Sequence, residues 1–311
     1  MRIVVLDGYT TNPGDLDWGG LENLGDLTVY ERTSQEDLLD RARNAEVLFT
    51  NKTVLDSNTI ESLPKLRYIG VLATGVNVVD LEAAQRHNII VSNVAGYGSS
   101  SVAQHTFALL LELTNKVAVH DAAVHEGEWV KCKDFCFTKH TLVELKGLTF
   151  GIIGLGSIGL AVAEIAKGFG MNVLATVRSE KNISGIEIVT MDTLFAYSDV
   201  VSLHCPLTSA TEKIINAESL KKMKSSAFLI NTGRGALIDE NALTKALKKS
   251  WIAGAALDVL STEPPEENNP LLSAPRCIIT PHIAWASKAA RTRLLNIAIQ
   301  NYKDFLNSKK K

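Results

Sequence analysis

Three stretches late in the chain each place polar side chains just beyond an apolar run. They are INTGRGALID with Arg234, AALDVLSTEPP with Asp258 and Glu263, and ITPHIAWAS with His282. Arg234 offers a planar fork of donors suited to an anion or a polarised oxygen, and His282 a proton that moves near neutral pH. Taken singly, Arg234 also reads as a loop ion pair and His282 as a capped histidine. Their recurrence at the ends of successive apolar runs makes one site of them, because ligands of open α/β sheets gather at the carboxyl ends of the strands.

A second constellation lies upstream. GIIGLGSIGLAVAEIAKGFGMNVLATV carries Gly154-x-Gly156-x-x-Gly159 between an apolar strand and a helix of small residues, with another strand following. Gly154 permits the tight turn, Gly156 lets the backbone approach a pyrophosphate, and Gly159 allows close helix–strand packing. The helix N-terminus, with Ser157 and Ile158 in its first turn, meets the phosphate charge. In that context the motif predicts a dinucleotide site. About twenty residues further on, an NAD site offers a carboxylate to the adenosine ribose. This chain offers Val177, Arg178 and Ser179 there, with no acid before Glu180. Val177 removes the charge that would repel a 2′-phosphate, and Arg178 and Ser179 are placed to hold one, with Lys181 as distant support. The other reading is a surface arginine beside an unpaired ribose. NADP(H) is favoured and NAD(H) stays open.

These residues need strands to end on. Over residues 1–100 the strands RIVVLDG, LTVYER, EVLFTN, LRYIGVLA and IIVSNV alternate with helical stretches at SQEDLLDRARNA, DSNTIESL and DLEAAQRHN. That spacing predicts parallel βαβ units. One long helix is expected over SSSVAQHTFALLLELTNKVAVHDAAVHEG, capped by its serines and stopped at Gly127. It is apolar nearly all round, which predicts burial between domains or subunits. The aromatic EWVKCKDFCFTKHTLVELKG after it reads as an arm docked on a second subunit or as a surface excursion. A second βαβ series runs from LTFGIIGLG through NVLATV, DVVSLHC, SAFLINTG and IAGAALDV to CIITPHI, with helices near MDTLFAYS and over DENALTKALKKS. A final helix, SKAARTRLLNIAIQNYKDFLNS, is expected to pack back on the first domain. The expected fold is α/β in two domains flanking a cleft. A substrate domain over 1–100 and 284–311 is discontinuous, and an NAD(P)-binding domain spans 101–283.

Composition agrees with this reading. The 311 residues are enough for two cores, and a net charge of −2 exerts no pull toward nucleic acid or an anionic membrane. No apolar run approaches the roughly 18 residues that span a bilayer, and MRIVVLDGY reads as a buried strand rather than a leader. Of the four cysteines only Cys132 and Cys136 lie close together, with no histidines at ligand spacing, so neither a disulfide framework nor a metal site is expected. A reduced, cytoplasmic protein is the expectation, and the Lys309–Lys311 end reads as a solvated tail.

With these pieces in order, the chain resembles the D-isomer-specific 2-hydroxyacid dehydrogenases. The likeness runs essentially the whole length, through ATGVNVVD, SVAQHTFALLLEL, GLGSIG, HCPLT, NTGRG, LDV with TEPP, and PHIAW. Within that family it is nearest the glycerate dehydrogenases, also called hydroxypyruvate reductases. The resemblance implies a Rossmann-type doubly wound nucleotide domain and a smaller flavodoxin-like substrate domain. It implies reversible, NAD(P)H-dependent reduction of a small 2-oxo acid, hydroxypyruvate or glyoxylate, to D-glycerate or glycolate. Arg234, Glu263 and His282 become the catalytic set. Arg234 contacts carboxylate and keto oxygen, His282 is the acid in reduction and the base in oxidation, and Glu263 orients that imidazole and favours its charged form. Asp258 falls near the nicotinamide carboxamide, Thr74 beside the nicotinamide, and Cys205 and Thr232 along the cofactor cleft. The Gly75 and Val76 amides take the substrate carboxylate, and Trp285 borders the substrate pocket.

Family members are typically dimers. A homodimer is therefore expected, built on the helix from Ser101 and the arm through Trp129, Phe135 and Phe137. A D-lactate or bulkier D-2-hydroxyacid dehydrogenase stays open within the same chemistry. Glu263 stands where the formate dehydrogenase branch carries an amide, and ATGVNVV brings no cation for a phosphorylated substrate. The alternative from another class is a nucleotide-sensing, corepressor-like binding protein, disfavoured because the chain carries no disordered extensions.

Overall fold

The structure, a computed structural model, describes residues 1–179 and 182–308. Glu180, the first acid after Val177, lies outside the described residues, as do Lys181, read as distant support for a phosphate, and the Lys309–Lys311 end, read as a solvated tail. The chain divides into two units, Met1–Gly98 with Trp285–Lys311, and Ser99–Ala284.

Five strands run parallel in the first unit: β1 (Arg2–Val5), β2 (Asp26–Val29), β3 (Val47–Thr50), β4 (Tyr68–Val71) and β5 (Ile90–Asn93). Their order, β2-β1-β3-β4-β5, is the flavodoxin-like one, with Val47 beside Tyr68 and Tyr68 beside Ile90. β3 and β4 are buried at every residue, as parallel strands covered on both faces must be. The crossovers carry α1 (Gly19–Glu22), α2 (Gln35–Ala42), α3 (Ser57–Glu61) and α4 (Leu81–Arg86). Ser34, Asp56 and Asp80 start the last three by accepting the amides of Asp37, Thr59 and Ala83. The C-terminal helix, Lys288–Ser308, lays Tyr302 and Phe305 on this sheet, with ring centroids 5.3 and 4.9 Å from Tyr68. Gly70 makes room for the same cluster, since a methyl group there would run into the Phe49 ring.

The second unit opens with a departure from expectation. The single helix predicted from the serines is two, α5 (Ser99–Asn115) and α6 (Val117–His125). Thr114 bonds back to the Leu110 carbonyl, and Lys116 then takes a left-handed backbone with φ 52° that ends the first helix. Apolar periodicity continues through the break, so it left no trace there. α5 also buries its stripe on its own sheet: Phe107 stacks on Phe150 at 5.5 Å, and Leu110 and Leu113 join the same core.

That sheet comprises β6 (Thr149–Ile153), β7 (Asn172–Thr176), β8 (Glu187–Ile188), β9 (Val200–Leu203), β10 (Phe228–Asn231), β11 (Gly254–Leu257) and β12 (Cys277–Ile279). All are parallel in the order β12-β11-β10-β9-β6-β7-β8. Counted within the unit this is the Rossmann order 3-2-1-4-5-6 extended by one edge strand, and it reverses between β6 and β9. α7 (Ser157–Gly168) shares the α5 face, while Leu220 and Leu243, from α9 (Ala217–Lys222) and α10 (Glu240–Lys248), pack on the other with α8 (Met191–Tyr197). α9 was not foreseen, although Asn216 and Ser219 spell its capping box. No helix among the described residues is long and apolar enough to cross a membrane.

Candidate active site

The turn after β6 is shaped by what a side chain would strike. Gly154 has φ 98°, and a Cβ there would stand 2.8 Å from the His204 carbonyl and the Cys205 amide. At Gly159 a Cβ would overlap the Gly154 carbonyl oxygen. A Cβ at Gly156 would meet nothing within 4 Å beyond its chain neighbours, so the backbone there stays open to a bulky anion. Gly156 is also the N-cap of α7, and no side chain caps that end. The first-turn amides and the positive end of the helix dipole are left for a ligand. The turn therefore fits a dinucleotide pyrophosphate. Ile158 packs inward on the core, and the Ser157 hydroxyl meets that of Ser99 at 3.1 Å. Beyond β7, Val177 packs partly against the same core, and Arg178 and Ser179 are exposed. Cys205 is half-buried and burial pushes its thiol up.

Two loops at the ends of β10 and β11 carry the other candidates. Asn231, the last residue of β10 and fully buried, accepts from the Gly233 amide at 3.0 Å and donates to the Arg234 carbonyl at 2.8 Å. That amide bridge sets the turn from which Arg234 emerges, exposed, with Nη1 donating to the Gly233 carbonyl. Thr232 is buried, and its hydroxyl lies 3.2 Å from that of Thr106 in the interior.

Asp258, just past β11, is 1% exposed and organises the segment carrying His282. Its carbonyl accepts the His282 amide, and its carboxylate accepts the amides of Ile283 and Ala284 at 2.9 and 2.8 Å and the Thr280 hydroxyl at 2.6 Å. His105 Nε2 lies 3.4 Å from the same carboxylate. Burial alone would raise this carboxyl; the bonds from His105, Thr280, Ala284 and Ile283 outweigh it and hold the group below the usual carboxylate range. His282 itself has φ 54°, a left-handed backbone that a residue with a Cβ rarely takes. Its Nδ1 is 2.6 Å from Glu263 Oε2, and Glu263 Oε1 in turn accepts the Leu260 amide at 3.2 Å.

In the first unit, Thr74, Gly75 and Val76 follow β4. The exposed Thr74 uses its hydroxyl on the Val94 carbonyl, and Val76 rests on the core. Trp285 stands edge-on to Tyr97 at 6.2 Å. The segment after it is held by Arg291, whose Nε donates to the Ala286 carbonyl while its two terminal nitrogens grip Asp15 at 2.6 and 2.8 Å. Sequence reasoning passed over Asn231, Thr280, His105 and the Asp15–Arg291 pair. Only Asn231, a polar residue closing an apolar strand, carried a readable signal.

Residues 107–284 match the family model of the D-isomer specific 2-hydroxyacid dehydrogenase, NAD binding domain. The chain is 48% identical over 313 residues to a hydroxypyruvate reductase of Blautia hydrogenotrophica, covering 98% of this chain and 97% of that one. It is 40% identical over 283 residues to a glycerate dehydrogenase of Methylorubrum extorquens, covering 90% and 89%. Among solved structures, an acyclic imino acid reductase in complex with NADPH and D-Arg superposes with a TM-score of 0.86 at 32% identity, over 99% of this chain and 98% of that one. The chain belongs to the D-isomer-specific 2-hydroxyacid dehydrogenases. It is an oxidoreductase served by a nicotinamide dinucleotide, of the fold and family that its motifs implied.

The packing of Gly154 on the HCPLT loop has a pH signature. His204 keeps part of its surface exposed, but its ring sits deep, Nε2 against the Ser202 hydroxyl at 2.8 Å, and burial lowers it from 6.5 to about 4. Unfolded chains take up a proton below 6.5 that the fold refuses until about 4, so this group's stability contribution is lost as pH falls through that window. The loss amounts to at most about 3 kcal/mol at its lower end. His204→Gln, which can keep the bond to Ser202, should flatten the fall in urea midpoint between pH 6.5 and pH 4. An unchanged slope would show that His204 is not the group responsible.

Proposed function

We propose that this enzyme reduces hydroxypyruvate, and glyoxylate beside it, to the D-2-hydroxy acid, with NADPH as the preferred donor. The observation that carries the reading is the His282–Glu263 contact of 2.6 Å, set at the strand ends of a nucleotide fold in a chain whose relatives include hydroxypyruvate and glyoxylate reductases. When bound, the nicotinamide supplies hydride to the substrate C2. Glu263 takes the Nδ1 proton of His282 as a hydrogen bond, which leaves Nε2 to deliver its proton to the carbonyl oxygen as charge builds there. In the reverse direction neutral His282 takes the hydroxyl proton. Arg234 is assigned to the keto oxygen and carboxylate, and the Gly75 and Val76 amides to the carboxylate. Trp285 is assigned to limit substrate volume, which disfavours the bulkier 2-oxo acids. Thr74, Cys205 and Thr232 are assigned to the nicotinamide side, with Asp258 in a positioning role near the carboxamide.

The cofactor preference rests on the end of β7. Val177 packs partly against the core, so among the described residues that position offers the ribose no carboxylate, and we assign the exposed Arg178 and Ser179 to a 2′-phosphate. The partner we assign is a second copy of the chain. Val130 and Phe135 are 90% and 89% exposed on an arm closed by the Trp129 indole on the Phe135 carbonyl, beside a hollow lined by Val117, Val124, Phe137 and Leu142. A monomer would leave that apolar face in water.

In a panel of 2-oxo acids assayed with both donors, hydroxypyruvate should rank first, and His282→Ala should lose about 10²- to 10⁴-fold in turnover while still binding NADPH. Near-native turnover in that variant would remove His282 from the mechanism. Wild type should favour NADPH over NADH in kcat/KM, by roughly tenfold if one exposed charge-assisted contact is responsible. Val177→Asp should reverse the preference and Arg178→Ala should raise KM for NADPH alone; equal efficiency with NADH in the wild type sinks the phosphate clamp. Light scattering at micromolar concentration should report twice the chain mass of 33.7 kDa, and a monomer there refutes the dimer.

A further inference from the structure

Ser101 and His105 are four residues apart on α5 and so share one helix face. Both reach the segment that carries His282. The Ser101 hydroxyl donates to the Ala284 carbonyl at 2.7 Å, and His105 Nε2 lies 3.0 Å from the Thr280 hydroxyl. Thr280 gives its own proton to the Asp258 carboxylate at 2.6 Å, so its oxygen is left to accept, and His105 must carry its proton on Nε2. The result is a chain of donors, His105 to Thr280 to Asp258, that ends on the carboxylate binding the Ile283 and Ala284 amides. We propose that His105 is a positioning residue for the catalytic histidine, acting through Thr280 and Asp258 to keep the left-handed turn at His282, and with it the His282–Glu263 alignment, in register.

The inference rests on His282 being the proton donor. His105 does not touch the reacting atoms in this scheme, and the titratable groups along its path are Asp258 directly and, one link on, His282 with Glu263. Removing the N–H at position 105 takes one donor from the Thr280 hydroxyl and from the carboxylate beyond it, leaving the Thr280–Asp258 bond unsupported from the helix side, which loosens the turn. A His282 that drifts from Glu263 is no longer held against the substrate carbonyl, so kcat should fall while KM for the 2-oxo acid stays close to that of the wild type.

The test compares His105→Leu, His105→Gln and Thr280→Val with wild type and His282→Ala, reading kcat, KM for hydroxypyruvate and the melting temperature of each. His105→Leu and Thr280→Val should lose about 10- to 100-fold in kcat with KM little changed. His105→Gln, which restores an N–H at similar reach, should recover most of the rate. Thr280→Val is nearly isosteric and carries the test if His105→Leu does not fold. Wild-type kcat in the two link-breaking variants overturns the proposal. So does a loss of rate that His105→Gln does not recover, or one matched by an equal rise in KM, since that marks a merely structural role. An active His282→Ala enzyme overturns the catalytic reading itself, and this inference with it, whereas the preceding outcomes leave that reading standing.

Discussion

A carboxylate with almost no exposed surface is held charged at Asp258, and the strand-end segment that carries His282 depends on it. A buried carboxylate is tolerated only where donors replace the water it lost. Here they are the Thr280 hydroxyl, the His105 ring and the consecutive amides of Ile283 and Ala284. The amides are the informative ones. Together with the His282 amide on the Asp258 carbonyl, they leave the chain little choice but the positive φ at His282. The backbone thereby fixes where the imidazole leaves the chain, and Glu263 Oε2 meets its Nδ1 at 2.6 Å.

α5 ties this turn to its neighbour. Ser101 and His105 hold the 280–284 segment, and one residue on, around the helix, Thr106 meets Thr232 in the turn that presents Arg234. Asn231 closes the same connection from the sheet side, bridging the turn with its carboxamide while its carbonyl receives the Asp258 amide. Arg234 and His282 therefore stand on loops bound to one helix and to each other through adjacent strands. Loops supported this way keep their geometry without the side chains they present having to supply it.

The nucleotide turn follows a different economy, in which space rather than bonding is the constraint. Gly154 and Gly159 are fixed by backbone atoms that a Cβ would strike, whereas a Cβ at Gly156 would stand in open space. Both kinds of constraint sit at the reversal between β6 and β9, where crossovers leave in opposite directions and a crevice is unavoidable.

Much of this was legible in the sequence. The alternation of apolar runs with capped helices determined two parallel sheets, because period and capping are local properties of a few consecutive residues. The glycine spacing determined the nucleotide turn for the same reason, and the strand-end positions of Arg234, Asp258, Glu263 and His282 marked the candidate site. What the sequence by itself did not determine was how those ends are supported. The bonds from His105 to Thr280, from Thr106 to Thr232 and from Arg291 to Asp15 join residues far apart in the chain, and neither partner's type announces the other. The helix break at Lys116 escaped too, since a single left-handed residue leaves the apolar pattern intact on both sides. Local spacing records which side chains are available and on which face of an element they stand. Only the packed structure decides which buried polar groups must find one another, because that demand arises when water is excluded from both.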